Sequence, residues 1–204
     1  MWSARTTIKE TVSGVRYWRG GSRVLFAATL GAVALVCTAC GGSSPSATAG
    51  TPAQLLSAGL AAQRSGNYTA AAADYKAVVS AAPTSSDACY AYYDLGVINQ
   101  VDVSPANPAA AESYYRKCLA LNPNFSDALY NLAIILTKSD PAQAESDYSQ
   151  VVALAPTSVA SAPAYVNLGF LLIAQGKKAQ GIRDIQLAAS LNPAFLKDVA
   201  AAEK

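Results

Sequence analysis

The chain has 204 residues and a formal charge of +2, but residues 1–23 hold five Lys/Arg against Glu10, while residues 51–204 hold ten Lys/Arg against twelve Asp/Glu. A mildly acidic domain without a basic stripe has no electrostatic hold on a phosphate backbone, which argues against nucleic acid as a partner. The sequence has no histidine; this removes the commonest general base, the commonest zinc ligand and the usual partner of a Ser or Cys nucleophile.

The first segment reads as an address rather than a fold. Arg16, Arg19 and Arg23 precede a charge-free, largely apolar run over residues 24–39, which ends at Cys40. A positive flank followed by such a run has the layout of a secretory signal, and the run is short of the ~20 residues a permanent helical span needs. Thr38 and Ala39 before Cys40, with Gly41 and Gly42 after it, resemble the lipobox of bacterial lipoproteins, with Cys37 where that motif usually has Leu. The resemblance implies that residues 1–40 are a signal peptide and that Cys40 becomes a diacylated N-terminus. The covalent lipid would then be the sole non-protein group, with no cofactor and no metal. At about 0.8 kcal/mol per buried methylene, two acyl chains hold a protein to a membrane. The location implied is the cell envelope, with the domain outside the cytoplasm. The alternative is that the run stays uncleaved, as a single-pass signal anchor carrying the same outward-facing domain.

Residues 41–51, GGSSPSATAGT, contain no large apolar and no charged side chain. Such a segment cannot bury surface and is expected to act as a flexible tether reaching roughly 20 Å.

Beyond the tether the sequence repeats. Pro83, Pro123, Pro156 and Pro193 each close an apolar stretch of helical period, in KAVVSAAP, RKCLALNP, SQVVALAP and QLAASLNP. Their intervals of 40, 33 and 37 residues point to helix-pair repeats, and a proline cannot continue the helix before it. Upstream of each proline stands a small residue in a first helix: Gly59, Gly96, Ala133 and Gly169. The second helices carry a small residue at Ala71, Ala111, Ala144 and Gly181 and a bulky one at Tyr75, Tyr115, Tyr148 and Ile185. The second unit has about three extra residues in its inner turn and the third is one residue short there; both changes fall in a loop, where they cost little.

This pattern resembles the tetratricopeptide repeat over residues 52–195, in four units of about 52–85, 89–125, 126–158 and 162–195. The fold implied is all-α: a right-handed superhelical stack of antiparallel helix pairs, with residues 196–204 as a short cap over the last apolar edge. By the same resemblance the first helices line a concave face that binds an extended peptide or a partner helix. Projection at 3.6 residues per turn puts Tyr90, Tyr93 and Val97, then Tyr130 and Ile134, then Val166 and Phe170 on that face. Asn131 and Asn167 fall where related repeats hold a peptide backbone with an amide, and Asp94 takes that place in the second unit. Each residue singly is as well explained by packing between repeats. Because paired helices run antiparallel, Cys89 and Cys118 are expected to be neighbours, either bridged by a disulfide or left as two buried thiols. With no S-x-x-K dyad, no G-x-G-x-x-G and only scattered carboxylates, no catalytic residue is assigned. The domain reads as a scaffold or adaptor for an envelope protein or peptide, not as an enzyme.

Overall fold

A computed structural model describes residues 50–102 and 105–204; the leader, and with it Cys40, lies outside the described residues. Those described are helical, with no strand among them. Four helix pairs follow one another: α1 (Pro52–Arg64) with α2 (Tyr68–Ala81), α3 (Ser86–Val97) with α4 (Pro108–Leu121), α5 (Ser126–Ser139) with α6 (Pro141–Leu154), and α7 (Ala162–Ala174) with α8 (Lys178–Leu191). A last short helix, α9 (Leu196–Ala202), packs on α8.

Local chemistry explains the boundaries. Thr51, Asn67, Ser85, Asn107 and Asp140 each accept a hydrogen bond from the backbone N–H three residues on, satisfying a donor that the first turn leaves free. Pro52, Pro108 and Pro141 follow three of these caps, where their fixed φ suits a helix start. The four recurring prolines act at the other end. The residue before each is pushed out of the helical region, so Ala82, Asn122, Ala155 and Asn192 have φ of −148°, −139°, −150° and −144° and end the four second helices.

The turns inside the pairs come in three lengths. In the first and fourth pairs Gly66 and Gly176 take φ of +81° and +82°, a left-handed turn that a Cβ would oppose. In the third pair Asp140 serves both helices: its N–H donates to the Leu136 carbonyl at 2.8 Å, and its side chain accepts from Gln143 N at 3.1 Å. That double service accounts for the missing residue. In the second pair part of the expected loop is helical, because α3 widens into a π turn over Ile98–Asp102, the usual way a helix absorbs an inserted residue. The Asn107 N–H then donates to the Asn99 carbonyl at 2.7 Å, and Gln63 Nε2 reaches Asp102 Oδ2 at 3.1 Å, tying the widened turn to the first pair. The second pair also starts earlier than its sequence reading, at Ser86, so that Cys89 lies one turn inside α3 rather than at its opening.

Each first helix packs most extensively on the second helix of its own pair, and each second helix then packs on the first helix of the next. The small-against-large pattern is what sets the crossings. A Cβ on Gly59 would meet the Tyr75 ring at 2.6 Å, and one on Gly96 would overlap the Tyr115 ring. In the fourth pair, where Ile185 replaces the tyrosine, a Cβ on Gly169 would lie 2.6 Å from the Gly181 carbonyl oxygen, so two backbones touch directly. Tyr75, Tyr115, Tyr148 and Ile185 are fully buried, each worth on the order of 2–3 kcal/mol of transfer free energy. The apolar interior runs along the stack in three clusters, joined at Tyr92 and Val152, as expected when each repeat touches only its neighbours.

Candidate partner-binding face

The first helices repeat one piece of internal chemistry before they offer a surface. In the second and third pairs an aromatic on the first helix lies on the buried tyrosine of the second: Tyr93 on Tyr115 with ring centroids 6.0 Å apart, and Tyr130 edge-on to Tyr148 at 5.9 Å. The buried phenols then find polar partners near the end of the first helix. Tyr75 Oη donates to Gln63 Oε1 at 2.8 Å, Tyr115 Oη donates to Gln100 Oε1 at 2.6 Å, and the Tyr148 and Thr137 hydroxyls are 3.4 Å apart. Burial holds the Tyr115 hydroxyl well above the ordinary tyrosine range; nearby Tyr93 adds to this and a hydrogen bond from Asn131 opposes it.

The residues assigned to the concave face divide accordingly. Tyr90 is 43% exposed, and Tyr93, Val97 and Phe170 are half-buried. Tyr130, Asn131, Ile134, Val166 and Asn167 are all buried. Asn131 lies near enough to the Tyr115 hydroxyl to lower its pKa, and Asn167 donates from Nδ2 to Tyr130 Oη at 3.1 Å, bolting α7 to α5. Asp94, at the equivalent place in the second pair, is buried as well. A buried polar group must be paired, and for Asn167 the pairing runs between neighbouring repeats.

What remains open lies where the first helices begin. The Tyr90 ring meets Phe125 edge-on at 5.2 Å, and Tyr93 meets the same ring at 5.2 Å. Phe125 precedes α5 and supplies no side-chain cap there. Beside it a cleft of about 240 Å³ lies between the third and fourth pairs, lined by Asp127, Tyr130, Val151, Leu154 and Pro163 among others. Its walls are held from behind. Gln150 Nε2 donates to the Pro123 carbonyl at 3.0 Å, Ser161 Oγ to the Ala155 carbonyl at 2.7 Å, and Tyr165 Oη to the Pro156 carbonyl at 3.3 Å. Phe125, Asp127 and Leu154 were not singled out from sequence. Phe125 ends LNPNF (121–125) and Phe195 ends the similar LNPAF (191–195), yet Phe195 is buried and Phe125 only half-buried, so the shared wording alone did not say which ring stays partly open.

Cys89, in the first turns of α3, and Cys118, near the end of α4, have their sulfurs 2.12 Å apart, at bonding distance, with both side chains buried. Among the described residues no three His, Cys, Asp or Glu side chains converge to hold a metal ion.

Two segments match family models described as tetratricopeptide repeat: residues 114–146, and residues 162–195, the latter coinciding with the α7–α8 pair. The chain carries tetratricopeptide repeats. The photosystem I assembly protein Ycf3 of Acaryochloris marina is 36% identical over 78 residues, 38% of this chain; the match spans 45% of that relative's length. Among solved structures, the crystal structure of MamA protein superposes with a TM-score of 0.62 at 21% identity, covering 74% of this chain and 80% of that one. The PilF protein of Pseudomonas aeruginosa superposes with a TM-score of 0.60 at 21% identity, covering 74% and 67%. At that identity these structures bear on the fold, which is the all-α repeat stack the sequence implied.

Proposed function

We propose that the protein is a lipid-anchored envelope component whose tetratricopeptide repeats bind another protein and catalyse nothing. The supporting observation is the combination of a repeat stack with an exposed ring, Tyr90, backed by half-buried Tyr93 and Phe125, near the start of α3 and α5. Similarity to an assembly protein over the matched residues supports an assembly role, and the absence of histidine speaks against acid–base or nucleophilic chemistry. The anchor rests on the resemblance around Cys40 to a lipobox. In this reading the domain works outside the cytoplasm, where Cys89 and Cys118 become oxidised.

A photo-crosslinking residue at Tyr90 in the full chain, produced in cells, tests the reading against the same residue at Lys76, which is exposed on α2. The expected result is a discrete cross-linked product from position 90 alone, in the membrane fraction. Equal products from both positions would remove the face. The charge-free run over residues 24–39 favours one second reading, a signal anchor. The mass of the mature N-terminus separates the two, since the lipoprotein begins at an acylated Cys40.

A further inference from the structure

One end of the stack is unlike the other. Because successive helices alternate in direction, the first helices all begin, and the second helices all finish, at the same end. Five of the six exposed large apolar side chains among the described residues lie towards that end: Tyr90 in the first turns of α3, Leu154 closing α6, Val159 in the turn before α7, Leu187 in the second half of α8, and Leu196 opening α9. Leu154, Val159 and Leu196 are 42%, 58% and 62% exposed. The sixth, Val101, is in the widened turn at the opposite end. Charge is divided the other way. The turns that join one pair to the next fall within residues 77–86, 118–126, 148–176 and 185–196, none of which contains Lys, Arg, Asp or Glu. At or beside the turns inside the pairs stand Arg64, Asp102, Lys138, Asp140, Lys177 and Lys178. The charges near the apolar end are Asp87 and Asp127 in the first turns of α3 and α5 and Lys197 beside Leu196, with Lys76 on α2 and Arg116 and Lys117 on α4 further back along their helices. Arg116 pairs with Glu112, and Lys117 Nζ lies 5.7 and 5.5 Å from the Tyr92 and Tyr114 ring centroids. Acids and cations both stand there, so the end has no single sign.

We propose that this end of the stack rests on a lipid surface with zwitterionic headgroups, seating Leu154, Val159 and Leu196 at the boundary between headgroups and acyl chains. The inference rests on the lipid-anchor reading and adds how the anchored domain lies on its membrane. The direction comes from the tether. The chain enters α1 at this same end, where Thr51 caps the helix, and residues 41–51 between Cys40 and that cap reach roughly 20 Å. An anchor at Cys40 therefore holds the apolar, charge-poor end towards the lipid and the charged turns away from it. So short a tether also keeps a weak contact at high effective concentration, so a few exposed aliphatic side chains suffice where they would not hold a free protein. No described helix is long and apolar enough to cross a membrane; the contact is a seat on the surface, driven by removal of apolar side chains from water. With acids and cations mixed at this end, anionic lipid adds little and the seat should hold at high salt.

The test uses the full chain, purified from membranes and reconstituted into phosphatidylcholine vesicles with and without brominated acyl chains. Its two tryptophans, Trp2 and Trp18, both lie in the leader; with both replaced by Phe, a tryptophan added at Val159, Leu196 or Val101 is the sole one. Val159→Trp and Leu196→Trp should show blue-shifted emission and lose intensity to the brominated lipid, while Val101→Trp, at the charged end, should emit as in water. Adding Val159→Asp to the Leu196→Trp chain should abolish the quenching at position 196 without releasing the chain from the vesicles. Emission from positions 159 and 196 that brominated lipid leaves unchanged, equal quenching at all three positions, or quenching that appears only with phosphatidylglycerol would overturn the proposal. If the chain floats with the vesicles while positions 159 and 196 go unquenched, the seat is wrong and the anchor reading stands. If the chain does not float, the anchor reading falls and the seat with it. The seat lies in the third and fourth pairs, so the cross-link at position 90, in the second, reads the protein partner separately.

Discussion

Single atoms decide how closely these helices approach. Gly96 lies against the Tyr115 ring so closely that a Cβ would overlap it, and the ring cannot withdraw because its hydroxyl is held by Gln100. Gly96→Ala is therefore expected to cost about 1–3 kcal/mol, as overpacking does, read as a lower urea midpoint with an unchanged slope; a neutral result would mean that α3 and α4 can slide apart. Asp147 is a different residue-scale conflict. It is 3% exposed, Oδ1 accepts from Gln143 Nε2 at 2.7 Å, and Oδ2 has no hydrogen-bond partner. Burial raises its pKa above the usual aspartate value, while Gln143 and Arg116 act the other way. A raised folded-state pKa means that this carboxyl's contribution is fully present below the unfolded value, about 4, and is lost as pH rises through the folded one. Asp147→Asn is thus expected to be more stable than the parent at pH 7, with the gap closing towards pH 4. Glu145, lowered by its bond to Lys177, changes in the opposite sense. The difference between parent and variant is therefore the quantity to follow, and a gap that stays constant with pH would show that Asp147 does not carry it.

At the scale of helices and turns, the second pair is the irregular one. Its inner turn is widened by the π turn over Ile98–Asp102, while at the opposite end of the hairpin the Cys89 and Cys118 sulfurs lie at bonding distance. A bridge closing a loop with a sequence separation of 29 is worth roughly 3–4 kcal/mol in the chain-entropy treatment, and often less in practice. The exported protein, unfolded without reductant, should show neither thiol reactive, and Cys89→Ala with Cys118→Ala should lose about 2–4 kcal/mol. Two reactive thiols would leave the pair as buried sulfhydryls, with no bridge in the second pair. Helix existence was legible because proline punctuation and small–large spacing act locally: Pro83, Pro123, Pro156 and Pro193 end helices whatever surrounds them. The proposed binding face was legible only in part, because helical projection places Tyr130 and Ile134 on the inward side but cannot say that a neighbouring repeat has covered them. That depends on Asn167 reaching Tyr130 across 37 residues of sequence, a distance no local pattern encodes.

Across the whole molecule, the apolar clusters form a row rather than a ball, so stability should be a sum of pair terms and neighbour terms instead of one shared core. The ends of such a row are its weak points. At the C-terminal end Phe195 is buried, and with Val199 it joins the cluster of Ala162, Tyr165, Val166, Ala188 and Ala189, while Ala202 is buried on α9. Removing residues 193–204 would uncover this cluster and forfeit about 2–3 kcal/mol for the Phe195 ring alone. In a globular core that loss would lower protection everywhere by the same amount. In a stack it should be graded: amide exchange should quicken most in α8, less in α7, and least in α1 and α2, which share no cluster with the lost segment. The full-length chain sets the baseline in the same exchange experiment. A uniform loss would mean that Val152, shared between the last two clusters, couples the pairs tightly enough for the stack to open as a single unit. A ligand at the open end of α3 and α5 would then stabilise α8 as strongly as its own site. The graded outcome would confine that stabilisation to the pairs the ligand touches and fade towards the far end of the row.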